Sequence, residues 1–492
     1  MKGVKEEKLS QNIGSVIANT NLGQIEGNIS DGVMRFLGVP YAARFTDDSR
    51  FEPPEPVQPW EGIASAVEEG PIPPQRPSRL ASVMGDFELP YDENCLTLNI
   101  WTPEADNGKR PVIVWIHGGA FVSGAGSLPW YDGTSFSRDQ GVVLVGVNYR
   151  LGALGFLCHP EISDGNLGIQ DQMLALEWVR NNIHSFGGDT NNVTLMGQSA
   201  GAISAYALLA NEKARICFDK VILQSGRYDS FETPDIAAEK AEDLAKIAGV
   251  SVVDLKTLPV EDILDAQSIL ARQNAKFAAT NIPLMPVADG EVIPDGVHEA
   301  ALKGAQGKEI MLGFAHDEMH AFLAGNPDIE NASDAQIEDV FKRDFGEKWQ
   351  EMLSYCRNRQ PGATPMEILS SGLNEANFAG QTSDFAADLS DKGIDTWLYR
   401  IDWSAPESAY RACHCIELPF VFNTFDRWMP PMIAGLQSNE ATALSRVIQK
   451  TWGSFAANGD PNHEDLIEWP AYNADRRSMI IWNKYIETVN RY

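Results

Sequence analysis

The chain is poor in cysteine. Its six residues, Cys95, Cys158, Cys217, Cys356, Cys413 and Cys415, lie scattered among 492 positions. No paired spacing that would make a zinc site is present, so they read as reduced thiols. Cys413-His414-Cys415 is no exception: in an extended segment, alternation puts both cysteines opposite the histidine, which argues against a shared metal. Positive charge is scarce as well. With 39 Lys and Arg against 68 Asp and Glu, the formal net charge is −29, which repels phosphate backbones and anionic lipid surfaces. Nucleic-acid and membrane partners are therefore excluded, and the charge reads as a solubilising surface. No apolar run is long enough to span a bilayer, and the acids and bases of Met1-Lys-Gly-Val-Lys-Glu-Glu-Lys8 are not followed by an apolar segment, so neither a span nor a secretory leader is expected. Internal repeats and low-complexity tracts are absent too. What remains is a soluble, cytoplasmic, globular chain, 43% hydrophobic and 22% charged, able to bury a large core.

The most informative stretch is Val193-Thr-Leu-Met-Gly-Gln-Ser-Ala-Gly-Ala-Ile-Ser204, a short apolar run, then Gly197-Gln-Ser199-Ala-Gly201, then helix formers. A strand that turns so sharply into a helix brings the residues two before and two after the serine against neighbouring backbone, where glycine fits. Ser199 is then strained and exposed at the carboxyl edge of a sheet, and the Ala200 N–H points to where an oxyanion would form.

The surrounding chain supplies such a sheet. Ser15 to Asn19 and Gly23 to Asn28 read as a hairpin, and Leu96 to Trp101 alternates like a half-buried strand. Val112 to Ile116 and Val142 to Val147 are continuous apolar runs, as in strands covered on both faces. The glycine-rich segment His117 to Gly124 lies between them. A helix over Ile169 to Ile183 precedes the serine strand, and short buried strands follow at Lys220 to Gln224, Ile310 to Gly313 and Thr396 to Ile401. A final helix carries Leu444, Val447, Ile448, Trp452 and Phe455 on one face. The proline-dense segment Phe51 to Trp60 reads as a stiff loop flanking a cleft, and Gly70 to Asp92 as a surface loop. Residues 233 to about 280, opened by the cap Thr233-Pro234 and stopped first at Gly249, and residues 325 to 390 are mainly helical and acidic. They interrupt the strand pattern as insertions that form a cap.

A serine hydroxyl needs a base near neutral pH, and histidine is suited to it. Among the eight histidines, His316, His320 and His414 follow late strands; His414, between the strand Thr396 to Ile401 and Leu418-Pro-Phe-Val-Phe422, is the candidate base. The loop Gly313-Phe-Ala-His-Asp-Glu318 offers Asp317 and Glu318 as the acid that orients it, and residue chemistry does not choose between them.

With these positions in hand, the chain resembles the type-B carboxylesterase family of α/β-hydrolases, closest in pattern to its bacterial p-nitrobenzyl esterases, over nearly its whole length. The likeness rests on Phe36-x-Gly-Val-Pro-Tyr-Ala42, Glu93-Asn-Cys-Leu-x-Leu-Asn99, His117-Gly-Gly-Ala-Phe121, Asn148-Tyr-Arg-Leu-Gly-x-x-Gly-Phe156 and Phe186-Gly-Gly-Asp189. It extends through Gly197-x-Ser-Ala-Gly201, Gln224-Ser-Gly226, Asp317-Glu318, His414-x-x-Glu-Leu-Pro-Phe-Val-Phe422 and Gly459-Asp-Pro-Asn462. The resemblance implies one α/β-hydrolase domain over residues 1–492, with a mostly parallel sheet flanked by helices and helical insertions roofing a gorge. It implies Ser199 as nucleophile, Glu318 as acid and His414 as base, with Gly119, Ala120 and Ala200 as oxyanion donors. Gly118 keeps that loop open and Ser225 supports the triad. Arg50 with Glu93, and Arg150 with Asp171, resemble structural ion pairs of the family.

Two departures stand out. The family often has a cysteine before Pro-Gln where this chain reads Gly70-Pro-Ile-Pro-Pro-Gln75, so Cys95 is expected unpaired, in keeping with an intracellular location. Asn94 replaces the usual aspartate. Residues 71 to 94 contain no tryptophan, which disfavours choline esters, since cholinesterases carry one there for cation–π contact. The expected reaction is hydrolysis of small carboxylic esters by water through an acyl-enzyme, with no metal or organic cofactor and with a monomer favoured. A lactone, carbamate or polyester hydrolase on the same triad is the alternative. A non-catalytic cholinesterase-like binding protein is disfavoured because all three triad positions are filled.

Overall fold

The computed structural model describes residues 14–46 and 49–490; the expectation about a leader falls on residues outside these. Thirteen strands form one sheet: β1 Ser15–Asn19, β2 Gln24–Ser30, β3 Val33–Pro40, β4 Ile63–Ser65, β5 Thr97–Thr102, β6 Arg110–Ile116, β7 Val143–Val147, β8 Gly188–Gln198, β9 Lys220–Gln224, β10 Glu309–Ala315, β11 Thr396–Ile401, β12 Ser478–Trp482 and β13 Glu487–Asn490. The spatial order is β1-β2-β3-β5-β7-β6-β8-β9-β10-β11-β12-β13, with β4 beside β2. From β7 to β12 every pairing is parallel, while β1, β2, β3, β5 and β13 pair antiparallel at the two ends. Helices cover both faces, as the continuous apolar runs of β6 and β7 require: each residue from Val112 to Ile116 and from Val143 to Val147 is buried. This is the α/β-hydrolase architecture, and it sets the carboxyl ends of β6, β8, β9, β10 and β11 side by side, where open α/β sheets bind ligands.

Several expectations change on contact with the fold. β5 is buried on both faces rather than half-buried. Its polar Asn99 accepts the Gly38 N–H at 2.8 Å, and Ser137, on the helix Thr134–Gln140 packed over it, donates to the Trp101 carbonyl at 3.0 Å. β12 and β13 are two strands that the sequence pattern did not predict. The segment Gly70 to Asp92 is not a mere surface loop. Ile72 to Gln75 are buried, a one-turn helix spans Ala81–Met84, and the Gln75 amide brackets Gly124 by accepting its N–H at 2.7 Å and donating to its carbonyl at 2.9 Å. The helix Pro234–Ala248 runs from the Thr233 cap to Gly249 at φ 73°, and further helices follow at Val260–Gln273, Asp334–Phe345, Trp349–Arg359, Pro365–Asn374 and Gly380–Asp391. Among the described residues no helix is long and apolar enough to cross a membrane.

Two ion pairs hold loops against the sheet. Arg50 pairs with Glu93 at 2.6 Å and donates to the Leu258 carbonyl at 2.6 Å, tying the first helical insertion to the loop before β5. Arg150 grips Asp171 through two bonds of 2.7 and 2.9 Å and donates to the Glu52 carbonyl at 2.9 Å. Arg150 is 3% exposed and Asp171 not at all. Removing one partner of so buried a pair strands the other charge. Arg150→Ala is therefore expected to cost about 3–5 kcal/mol of stability, read as a lower melting temperature by calorimetry.

Candidate active site

At the end of β8 the chain reverses into the helix Ala200–Ala210 through a single residue. Ser199 adopts φ 56° and ψ −123°, a conformation costly for a side chain with a Cβ. Close approach on both sides enforces it. A Cβ on Gly197 would lie 2.2 Å from the Gly201 carbonyl oxygen, and one on Gly201 would lie 2.0 Å from that of Ile116. The Ser199 N–H donates to the Gln224 carbonyl at 2.9 Å, and its own carbonyl accepts from Ala202 and Ile203. Ser225, the residue after β9, repeats the pattern at φ 52° with its N–H on the Gly313 carbonyl at 2.8 Å. This backbone link is its one bond here; no bond of its hydroxyl is present among the described residues.

The loop after β6 faces Ser199. Gly118 leaves no room for a side chain, since a Cβ there would come within 3.0 Å of the Ser199 Cβ. Gly119 at φ 119° accepts from the Val122 and Ser123 amides at 3.0 Å, and Ala120 and Phe121 have φ 54° and 60°. Among the described residues the N–H groups of Gly119, Ala120 and Ala200 have no acceptor. His117 pins the loop, a role the sequence did not suggest. Its ring stacks on Tyr149 with centroids 4.4 Å apart, Nδ1 lies 2.7 Å from the Gly118 carbonyl, and burial pushes its pKa down to about 4, so it is neutral.

Glu318 and His414 meet behind this wall. Glu318 Oε2 lies 2.5 Å from His414 Nδ1, while Oε1 accepts the Ala315 N–H at 2.7 Å. Both residues are buried. Asp317 instead faces His316 at 3.2 Å and His320 at 4.0 Å, and His320 Nδ1 is 2.8 Å from the Ser370 hydroxyl. Because a carboxylate only accepts, in the neutral ring Nδ1 of His414 carries the proton and Nε2 the lone pair. Nε2 lies 3.4 Å from the Gln198 side-chain amide, and among the described residues no hydrogen bond joins it to Ser199. Burial disfavours the imidazolium, but the Glu318 carboxylate on Nδ1 favours it, and the His414 pKa is raised well above the ordinary value. Burial also pushes the Cys415 thiol up, so the thiol stays neutral and the Glu318 carboxylate is the charge that acts. Phe322 and Phe378 flank the ring at 5.3 and 5.2 Å, a pair of contacts without a sequence signal.

The expected opposition of both cysteines to His414 fails for Cys415. The segment turns, with Cys415 at φ 73°, and the Cys415 sulfur lies 3.3 Å from the Gln198 amide on the same cavity wall as His414. Among the described residues no cluster of three or more His, Cys, Asp or Glu is placed to hold a metal ion. All six cysteines are unpaired and buried. Asn94 keeps the acceptor role open to an aspartate there, taking the Phe45 N–H at 2.7 Å.

Ser199, His414, Gly118, Gly119, Ala120 and Ser225 line one cavity of about 370 Å³. The segment Arg76 to Leu80, the face of Val260–Gln273 bearing Gln267 and Ala271, and Phe378 complete its walls. The model of the carboxylesterase family matches residues 14–490. The chain belongs to the carboxylesterase family. It is 35% identical to the para-nitrobenzyl esterase of Bacillus subtilis over 96% of both chains, and 34% identical to the phenmedipham hydrolase of Pseudarthrobacter oxydans over 94% of both. A crystal structure of a carboxylesterase from Geobacillus stearothermophilus superposes with a TM-score of 0.86 at 33% identity, covering 96% of this chain and 97% of that one. The protein is thus an enzyme, a serine hydrolase of carboxylic esters.

Beneath the enzyme's Glu318–His414 pair lies a second carboxyl group. Glu417 is buried, and its Oε1 accepts from the Gln224 amide at 3.3 Å while Oε2 has no partner among the described residues. Burial, reinforced by the Glu318 charge, pushes its pKa up to about 7. A raised carboxyl pKa means stability that is complete below the unfolded value and is lost as pH rises through the folded one. Glu417→Gln is expected to gain thermal stability relative to the parent between about pH 4.5 and about 7, measured as the difference in melting temperature across that window.

Proposed function

We propose that Ser199 is the nucleophile, His414 the general base and Glu318 the carboxylate that orients it. The observation that carries this reading is the buried Glu318–His414 contact beside a serine held at positive φ. Rotation of the Gln198 amide away from Nε2 frees its lone pair for the Ser199 proton, and such contacts commonly tighten only when substrate is bound. Ser199 Oγ attacks the ester carbonyl as its proton passes to Nε2. The carbonyl oxygen, now negative, is met by the N–H groups of Gly119, Ala120 and Ala200, each such donor being worth roughly a hundred- to a thousandfold in rate. The imidazolium, favoured by Glu318, protonates the departing alcohol. Water deprotonated by Nε2 then releases the acid and restores the serine. Gly118 gives the carbonyl room, and Ser225 supports Ser199 through the backbone links from β8 to β9 and β10.

In this reading residues 1–492 form a single domain, with the helical segments 233–280 and 325–390 inserted above the strand ends as a cap. Unpaired cysteines and the acidic charge support a cytoplasmic monomer acting on small esters. The names of the relatives, phenmedipham hydrolase among them, support the breadth of acyl chemistry that such a site accepts.

Ser199→Ala should lower kcat by as much as about a millionfold; a variant retaining a tenth of the turnover on p-nitrophenyl butanoate would overturn the assignment. The pH dependence follows from His414. Its neutral form is the active base, so activity falls as pH drops through its raised pKa, and the acidic limb of kcat/KM is expected above the ordinary histidine value of about 6.5. Glu318→Gln removes the charge that favours the imidazolium, so the limb moves to lower pH while kcat drops; a limb that stays in place would refute the pairing.

A further inference from the structure

The walls of the Ser199 cavity carry a charge opposite to that of the chain. In a protein where acids outnumber bases 68 to 39, the charged side chains lining this cavity, His414 aside, are Arg76, Arg79, Arg227 and Arg272, and among the described residues no aspartate or glutamate lines it. The arginines are not equally satisfied. Arg76 is neutralised by Asp265 at 2.7 Å. Arg79 and Arg272 have no side-chain acceptor among the described residues. Arg227, two residues beyond Ser225, donates through Nη1 to the Thr280 hydroxyl at 2.6 Å and stands 3.6 Å from the exposed Asp229, while its Nε is buried without an acceptor. Much of the remaining wall is apolar, with Met84, Phe87, Trp130 and Phe322.

A guanidinium N–H removed from water without an acceptor is costly, and its planar fork matches a carboxylate. We propose that the enzyme's substrates are esters that themselves carry a carboxylate, held in the cavity by Arg227 and Arg272. The inference rests on the serine mechanism above and adds the substrate class. The chain's net charge disfavours anions in general, so local arginines are what make an anionic ester a preferred one. The carboxylate stays ionised and unreacted throughout: it positions the ester carbonyl over Ser199 and takes no part in bond making.

Two matched pairs of esters test this. With the carboxylate on the alcohol side, para-butanoyloxybenzoate is compared with para-butanoyloxybenzamide; with it on the acyl side, monomethyl adipate is compared with methyl heptanoate. In at least one pair the anionic ester should have the higher kcat/KM. Arg227→Gln and Arg272→Gln should each lower that anionic-to-neutral ratio by roughly tenfold, the loss of one charge-assisted bond. Arg272 is exposed on its helix, so its variant reports even where Arg227→Gln, which also breaks the Thr280 bond, fails to fold. A parent enzyme that favours the neutral ester in both pairs, with ratios that Arg272→Gln leaves within about twofold, overturns the proposal. Hydrolysis of the neutral esters and its loss in Ser199→Ala check the serine mechanism separately, so failure of the substrate class and failure of the mechanism give different results.

Discussion

The site depends on a backbone reversal completed within one residue. Between β8 and the helix that follows, Ser199 is held at φ 56° because Gly197 and Gly201 pass too close to neighbouring carbonyls for any Cβ. The strain is borne by a ladder of main-chain bonds, Ser199 to Gln224 and Ser225 to Gly313, that runs across three adjacent parallel strands. A conformation of this kind persists only where the surroundings over-determine it. Here the surroundings are the middle of a sheet covered on both faces.

Burial sets the electrostatics around that elbow. Glu318 and His414 are sealed from water, so each charge is felt strongly by the other, and a second buried carboxyl, Glu417, is pushed towards its neutral form by burial first and by the Glu318 charge second. His117, equally buried but without a carboxylate, is driven the other way and stays neutral as a structural pin. The cavity in front of these groups is cationic, unlike the acidic chain around it. The same residue types therefore serve opposite ends, according to which partner burial leaves them.

Loops far apart in the chain are fastened to one another rather than to the sheet alone. Gln75 brackets Gly124 and thereby couples a cavity wall to the glycine loop, while Arg50 joins Glu93 to the carbonyl of Leu258. Phe378, from a segment far along the chain, and Phe322 close around the His414 ring.

Local chemistry by itself determined the elements whose signal is short-ranged. The apolar runs at β6 and β7, the cap and stop of Pro234–Ala248, and the glycine spacing around Ser199 are each dictated within a few residues, and the blocks of motif were specific enough to name the family. What the tertiary structure alone decided is what long-range contact creates. Glu318 rather than Asp317 meets His414 because the backbone leaving β10 directs adjacent side chains oppositely, a choice that composition cannot express. Cys415 shares the His414 wall because the chain turns there, whereas alternation assumed an extended segment. Gly70 to Asp92, with no periodicity of its own, became a cavity wall through bonds to residues some fifty positions away. The four cavity arginines, scattered between positions 76 and 272, form a charged surface only once the fold gathers them.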